Sequence, residues 1–321
     1  MDTSPELHPP HTVAVLIPCY NEAITIARVV SDFRHYLPGA TVYVYDNNST
    51  DDTATIARKA GAIVRIERRQ GKGYVVRRMF ADIDADIYVL VDGDGTYEAA
   101  AAPRLVEELL SGPYDKVNGA RVHSSKAAYR PAHQFGNRLF SGIVSILFGA
   151  RCRDMLSGYK ALSRRFAKSF PASSKGFEIE TELLIHVLDL DLAMSEIDTR
   201  YQERPAGSVS KLSTMKDGGR ILWMIFELVR DLLPLQFFSI LGLLFCTLSL
   251  LLGIPIVYEF FETALVPRLP TAVLAMGTMM IGLFSIFVGL ILDSVARGRR
   301  EAKLMSYLSL PAAMRCSSEL S

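Results

Sequence analysis

The chain has 321 residues, enough for one large domain or two modest ones. Half of them are hydrophobic and the mean hydropathy is slightly positive, which is high for a wholly soluble enzyme. Lys and Arg number 35 against 34 acidic residues, so bulk charge gives no reason to expect a nucleic-acid partner. The cysteines Cys19, Cys152, Cys246 and Cys316 are scattered without a Cys-x-x-Cys spacing, which argues against a disulfide framework or zinc site and fits a reducing compartment.

Residues 1–11 are polar and proline-rich, have no apolar signal core, and read as a loose tail. A β-branched run at 12–17 predicts the first strand. It ends at Pro18-Cys19-Tyr20-Asn21-Glu22, and Ile26, Val29, Val30 and Phe33 then carry helical spacing through 23–36. A second strand at 41–45 ends in Asp46-Asn47-Asn48-Ser49-Thr50-Asp51-Asp52-Thr53, with Ser49 through Asp52 as cap residues for a helix over 53–60. A third strand at 62–66 is followed by Gly71-Lys72-Gly73 and a helix running to about 83. Five apolar residues at 87–91 suit a fourth strand, buried on both faces of a parallel sheet. Strand alternating with helix at this spacing predicts a doubly wound α/β sheet, whose ligands lie beyond the carboxyl ends of the strands.

That rule gives the polar clusters one address. Asp92-Gly93-Asp94-Gly95 emerges where the fourth strand ends. Carboxylates two apart there can share a hard cation such as Mg²⁺ or Mn²⁺; a plain polar turn is the bland alternative. Asp46 can accept hydrogen bonds from a base or ribose, and Lys72 can meet a phosphate as a point charge. Taken singly, each is equally well a cap or a solvated loop; their convergence at one sheet edge favours a site. No Gly-x-Gly-x-x-Gly follows the first strand, and no Gly-x-x-x-x-Gly-Lys-Ser/Thr loop occurs, so neither a Rossmann dinucleotide site nor a P-loop ATPase is expected.

Together, Pro18-Cys19-Tyr20-Asn21-Glu22, Asp46-Asn47-Asn48-Ser49-Thr50-Asp51, Gly71-Lys72-Gly73 and Asp92-Gly93-Asp94 resemble the inverting family 2 glycosyltransferases of GT-A fold, in particular the dolichyl- and polyprenyl-phosphate sugar synthases. The resemblance implies a GT-A, Rossmann-like mixed sheet with flanking helices. It implies that Pro18, Tyr20, Glu22, Val44 and Asp46 contact the base and ribose, and that Asp92, Gly93 and Asp94 hold the metal and the donor's diphosphate. Many members have Asp-Asp-Gly-Ser where this chain has Asp46-Asn47-Asn48-Ser49, and often a Gln where it has Thr96. Downstream, Asn118-Gly119-Ala120-Arg121 closes a predicted strand, and Arg121 matches an arginine near the donor phosphates. Asp154-Met155-Leu156-Ser157-Gly158-Tyr159-Lys160 resembles an acceptor-side segment, with Asp154 as the residue for positioning or weak base work. Gly176-Phe177-Glu178-Ile179-Glu180 also matches. The loop from Arg204 to Lys211 resembles one whose Arg204 and Lys211 close over the diphosphate.

Residues 130–138 are basic with apolar residues interleaved. They read either as an amphipathic element at a membrane surface, with Arg130 or Arg138 on a lipid phosphate, or as an ordinary basic helix face. His123 and His133 lack partners at metal-ligand spacing and read as surface residues, while His186 reads as a satisfied helix histidine. Glu178, Glu180 and Glu182 alternate and are either solvated or on the acceptor side.

Residues 232–258 and 269–292 carry no charge, and each run exceeds the roughly 20 residues that cross a bilayer core. Two spans are expected rather than two long buried helices without a polar face. Lys211, Lys216, Arg220 and Arg230 on one side, and Arg297, Arg299, Arg300 and Lys303 on the other, place both ends in the cytoplasm by the positive-inside rule. Between the halves, Ile221, Leu222, Ile225, Leu228, Val229 and Leu232 share a helix face suited to the interface. The expected plan is therefore a tail (1–11), a catalytic domain (12–215), an amphipathic helix (216–232), a membrane hairpin (233–296) and a cytoplasmic C-terminal tail (297–321).

The resemblance implies sugar transfer from a nucleotide diphosphate sugar to a polyprenyl phosphate, undecaprenyl or dolichyl. A polysaccharide synthase usually carries a Gln-x-x-Arg-Trp segment and more spans. A silent nucleotide-binding scaffold has no need of Asp92, Asp94, Arg204 and Lys211. A homo-oligomer stays open.

Overall fold

The computed structural model describes residues 11–123, 154, 157–173, 176, 178–202, 205, 226–227 and 229–311. The chain divides into two compact units, one holding the residues up to 221 together with those from 303 onward, the other 222–302.

The first unit is built on a seven-stranded sheet of order β3-β2-β1-β4-β6-β5-β7. In chain order the elements are β1 (Val13–Cys19), α1 (Ile26–Tyr36), β2 (Thr41–Asp46), α2 (Thr53–Lys59), β3 (Ile63–Ile66), α3 (Lys72–Asp82), β4 (Ile87–Leu90), α4 (Ala102–Ser111), β5 (Lys116–His123), β6 (Lys160–Ser163), α5 (Arg164–Ser169), α6 (Ile179–Leu190) and β7 (Met194–Tyr201). The first four strands are parallel, as the strand–helix alternation predicts. β6 then enters antiparallel between β4 and β5, and β7 pairs parallel with β5, so the sheet is mixed. The starts of β2, α2 and β4 and the ends of α1 and β3 fall where predicted, and the other boundaries up to β4 move by one to three residues. β5 differs most in consequence: it runs two residues past Arg121, so that arginine lies within a strand rather than closing it.

Period-two alternation assigns the strand side chains to two cores. Val15, Ile17 and Cys19 of β1 pack on one face with Val29, Val30 and Phe33 of α1, Ala57 of α2 and Leu105 and Leu109 of α4. Ala14 and Leu16 point the other way, against Val75, Val76, Met79 and Phe80 of α3, Phe166 of α5 and Leu183 of α6. Both faces are covered, which is why β1 and β4 read as nearly unbroken apolar runs. Tyr88, fully buried in β4, keeps its hydroxyl satisfied by donating to Ile83 O at 3.0 Å and accepting from Ala85 N at 3.1 Å.

His186 of α6 lies among Phe166 and Phe170, with Nε2 3.0 Å from Ser169 Oγ. Burial pushes it down to about 3, so it is neutral. Its Nδ1 has no partner among the described residues, so the histidine is satisfied on one side only. Asp115, just before β5, receives both the guanidinium of Arg165 (2.6 and 3.0 Å) and the Ser163 hydroxyl (2.7 Å). Residues from 303 onward group with this unit: Tyr307 donates to Asp115 at 2.7 Å and Lys303 meets Asp189 at 2.7 Å.

The described residues between 226 and 232 are helical. The second unit is made chiefly by two long helices, α7 (Pro234–Thr263) and α8 (Leu269–Leu308), the latter up to residue 302. Both are long and apolar enough to cross a membrane. α8 continues through residues expected to begin the tail. Side chains such as Leu243, Leu251, Phe261, Met276, Phe284 and Ile291 are more than half exposed, an apolar surface that water disfavours. Where α7 and α8 meet, the contact is made by small groups. A Cβ on Gly282 would stand 2.9 Å from Gly242 O and 2.6 Å from Cys246 Sγ, and Ser249 Oγ donates across the pair to Ala275 O at 2.6 Å.

That close approach yields a paired test. Gly282→Leu is expected to lower the thermal stability of the detergent-solubilised protein by the equivalent of about 1–3 kcal/mol through overpacking. Gly277→Leu, on the same helix with nothing within 4 Å of its Cβ position, is expected to leave the melting temperature unchanged.

Candidate active site

The strand order reverses between β1 and β4: the chain goes outward through β2 and β3, then returns to the other side of β1. Such a switch opens a crevice at the carboxyl ends. Cys19 is level with Asp46, and Asp46 with Ile66. Leu90 is level with Leu16 on one side and Lys160 on the other. The turns after β1, β2, β3 and β4, and the segment before β6, therefore share one edge.

The turns after β1 and β2 are joined by hydrogen bonds. Asn21 N donates to Ser49 Oγ (2.9 Å), Thr50 N to Asn21 Oδ1 (2.8 Å), Glu22 N to Thr53 Oγ1 (2.9 Å) and Ala23 N to Asp51 Oδ2 (3.2 Å). Asp51 also accepts from Thr53 N at 3.1 Å, so the first amide of α2 is met by the residue before the N-cap, while Asp52, at the N-cap itself, makes no side-chain cap bond. Asp46 is buried; its Oδ2 accepts from Ser49 N at 3.3 Å, while its Oδ1 has no partner among the described residues. A buried carboxylate oxygen left without a donor is costly, and a ligand N–H or O–H would satisfy it. Asn47 ties the turn after β3 into the same edge. Its amide donates to Glu67 O and Arg69 O, both at 2.8 Å, and its carbonyl accepts from Gly71 N at 2.7 Å. The start of α3, and with it Lys72, is thereby fixed.

After β4, Asp94 Oδ1 accepts from Thr96 N (3.1 Å) and Thr96 Oγ1 (2.6 Å), so Thr96 orients a carboxylate. Gly95 takes φ +70°, and its carbonyl is held by Arg28 at 3.1 Å. Asp92 Oδ1 lies 2.6 Å from Lys72 Nζ, and a Cβ on Gly158 would stand 2.2 Å from Asp92 Oδ2, so only glycine admits the carboxylate there. Gly158 is itself placed by donating to Tyr97 Oη at 2.8 Å. Lys72 also meets Glu180 at 2.8 Å, and Glu180 meets the fully buried Lys160. Burial works against the Lys72 charge, but Asp92 and Glu180 outweigh it and hold its pKa above the ordinary lysine value. For Glu180, burial is outweighed by Lys160 and then Lys72, which bring it down to about 2.

Asp92 and Asp94 are hard oxygen donors, and Asp92 already binds a positive charge, so the pair fits a divalent cation of the Mg²⁺ or Mn²⁺ kind. Among the described residues no third Asp, Glu, His or Cys completes a cage, leaving the remaining positions for water and substrate oxygens.

Arg121 and Asp154 occupy each other. The guanidinium meets the carboxylate through Nε (2.6 Å) and NH2 (2.8 Å), Arg121 N adds a third contact at 3.1 Å, and Tyr201 lies beneath the guanidinium at 5.6 Å. Pro18 and Tyr20 are half-buried and Glu22 is buried at the mouth of β1. Val44 is fully buried, with its side chain in the core cluster and not at the edge. Arg130, Arg138, Arg204, Lys211 and His133 lie outside the described residues. Sequence reasoning gave Asn47 and Lys160 no role beyond membership of their motifs, assigned none to Tyr97, and did not separate Glu180 from Glu178 and Glu182. Glu180 stands in the first turn of α6, directly before the apolar positions Leu183 and Leu184, and that was the available signal.

A mixed sheet with its polar groups gathered at a strand-order reversal, two carboxylates at the end of its central strand, is the architecture of a GT-A transferase domain. Residues 14–169 match the glycosyl transferase family 2 description. Glycosyltransferase AglJ of Haloferax volcanii is 34% identical over 294 residues, covering 91% of this chain and 96% of that one. A dolichyl-phosphate hexose transferase of the same organism is 30% identical over 209 residues, 65% of this chain and 90% of its own. Among solved structures, Mycobacterium tuberculosis glucosyl-3-phosphoglycerate synthase in complex with UDP superposes with a TM-score of 0.55 at 25% identity, covering 68% of this chain and 79% of that one. The same enzyme with Mn²⁺, UDP-glucose and phosphoglyceric acid gives 0.53 at 26%, with the same coverage. The chain belongs to glycosyltransferase family 2 and is a glycosyltransferase.

The Asn47 clamp can be tested directly. Asn47→Asp removes both donors and sets a carboxylate against two carbonyls, at an expected cost of about 2–3 kcal/mol. Equilibrium chemical unfolding followed by far-UV circular dichroism reads that loss, and Asn47→Ser should recover only part of it.

Proposed function

We propose that the protein transfers a sugar from a nucleotide diphosphate sugar to a polyprenyl phosphate, undecaprenyl or dolichyl, with inversion and with Mg²⁺ or Mn²⁺. The observation that carries the reading is the pairing, in one family 2 chain, of a carboxylate-lined crevice with two helices whose exposed surface is apolar. An isoprenoid tail needs that second feature and a water-soluble acceptor does not. The dolichyl-phosphate hexose transferase among the relatives supports the lipid acceptor. The Mn²⁺ and UDP-glucose bound by the mycobacterial enzyme support the donor and the metal.

In this reading the unpaired Asp46 oxygen receives a donor from the base or ribose, beside Pro18, Tyr20 and Glu22. Asp92 and Asp94 hold the divalent ion, which when bound supplies positive charge to the diphosphate. A phosphate oxygen of the lipid forms the new bond to the anomeric carbon. The bond from that carbon to the diphosphate breaks on the opposite face, and its electron pair leaves with the nucleotide. A phosphate monoester has its second pKa at about 6, so the nucleophile is already largely dianionic near neutrality. A strong general base is unnecessary, which suits Asp154, whose two oxygens are both taken by Arg121. Asp154 acts as a positioning residue, and Arg121, with Arg204 and Lys211, faces the charge that develops on the leaving group. Arg130 and Arg138 are the candidates for the acceptor phosphate.

Membranes containing the protein, given radiolabelled UDP- and GDP-hexoses with undecaprenyl or dolichyl phosphate, should form an organic-soluble glycolipid that mild acid releases as free sugar. Asp94→Asn is expected to lower its formation by a factor of about 10²–10³, with equal protein in the membrane fraction. Label appearing in polymer or in a mild-acid-stable glycolipid, or full turnover by the mutant, would overturn the reading.

A further inference from the structure

Beneath the two carboxylates runs a line of alternating charge: Asp92, Lys72, Glu180, Lys160. Lys72 Nζ stands 2.6 Å from Asp92 Oδ1 and 2.8 Å from Glu180 Oε1, and the other Glu180 oxygen meets Lys160. Four different elements supply it: the end of β4, the first turn of α3, the first turn of α6 and the first residue of β6. The inner end is closed, with Lys160 fully buried, whereas the Asp92 side chain is 31% exposed at the crevice. Lys72 therefore has one anionic partner inside the protein and one at the place where a divalent cation fits. An ammonium and a divalent ion repel each other strongly at such separations, and a single carboxylate oxygen does not hold both at about 2–3 Å.

We infer that Lys72 is the resident counter-cation of Asp92, that the divalent ion takes its place, and that Glu180 keeps the displaced ammonium in the crevice to face the donor's diphosphate. Without the ion, Lys72 offsets the repulsion between Asp92 and Asp94. With it, the ammonium and the ion both face the incoming diphosphate. Ion and donor thus reinforce each other, since each favours the arrangement in which Lys72 has left Asp92. Glu180 is a positioning residue: it reaches the donor only through Lys72. The inference rests on the reading above that this crevice takes a divalent ion and a nucleoside diphosphate.

The test reads metal binding and nucleotide binding separately, on the full chain in detergent. Free Mn²⁺ is followed by electron paramagnetic resonance, with and without UDP or GDP. Lys72→Met should bind Mn²⁺ about tenfold more tightly when nucleotide is absent, because Asp92 is freed, and should bind nucleotide at saturating Mn²⁺ about tenfold more weakly. Glu180→Gln leaves Lys72 with Asp92 alone and should weaken nucleotide-free Mn²⁺ binding about tenfold. Should that variant fail to fold with Lys160 bare, Glu180→Gln combined with Lys160→Met removes the buried acid and base together and carries the same expectation. A merely structural lysine would not move the two affinities in opposite directions. Nucleotide-free Mn²⁺ affinity unchanged or weakened in Lys72→Met overturns this inference alone. No Mn²⁺ binding by the native chain, with or without nucleotide, overturns it together with the divalent-metal reading beneath it.

Discussion

The register of β4 is the constraint from which the site follows. Leu90 is pinned between Leu16 on the parallel side and Lys160 on the antiparallel side, and every residue of the strand is closed to solvent. A slip of one residue would exchange Tyr88 and Leu90 with Ile87 and Val89 between two cores of different shape, so burial on both faces fixes the pairing tightly. With Leu90 set, Val91 N bonds Leu16 O at 3.0 Å and Asp92 is the next residue to emerge. The antiparallel entry of β6 then delivers Gly158 against the Asp92 carboxylate, and only a residue without a side chain fits there. A strand running parallel to β4 would have brought its carboxyl end to this point instead. The mixed topology is what places a backbone, rather than a side chain, behind the acid.

Charge is buried at this edge in two ways, and they differ in what they allow. The Arg121–Asp154 pair is bidentate, with a further backbone contact, so its geometry is over-determined and stiff. The line from Asp92 to Lys160 instead shares each inner charge between two neighbours. Desolvation of a buried ion is large, and a second partner keeps it offset when the first is given up. Fixed and exchangeable charges thus lie side by side. A transferase needs a stiff element to aim its reactants and a movable one to accept a charge that arrives with the substrate.

The parallel half of the sheet is legible in the sequence because both of its signals are local. Apolar runs mark strands buried on two faces, and Ile26, Val29, Val30 and Phe33 mark the one helix face that meets them. The antiparallel insertion of β6 has no local signature, since nothing near Lys160 states which strands it will separate. The strand-end rule is enough to bring Asp46, Lys72 and the Asp92/Asp94 pair to one edge. It does not reveal that Arg121 and Asp154 neutralise each other, or that Glu180 is the buried member of three alternating glutamates. Those facts depend on contacts between residues far apart in the chain, and on a helix phase that alternating glutamates leave undetermined.

The two departures from Asp-Asp-Gly-Ser show how a local rule and a long-range contact are satisfied together. Asn48 occupies the glycine position with φ +62°, a left-handed conformation that asparagine tolerates better than other residues with a side chain. Its amide then donates to Arg68 O at 2.7 Å, a contact glycine could not make. Asn47 replaces an acid with a group that both donates and accepts, and all three of its bonds go to the turn that begins α3. An aspartate there would face two carbonyls with no proton to give them. Together the two asparagines bind the turn after β2 to the turn after β3. Asp46, the first residue of the motif, is thereby left as the side chain with a buried oxygen still open to a ligand.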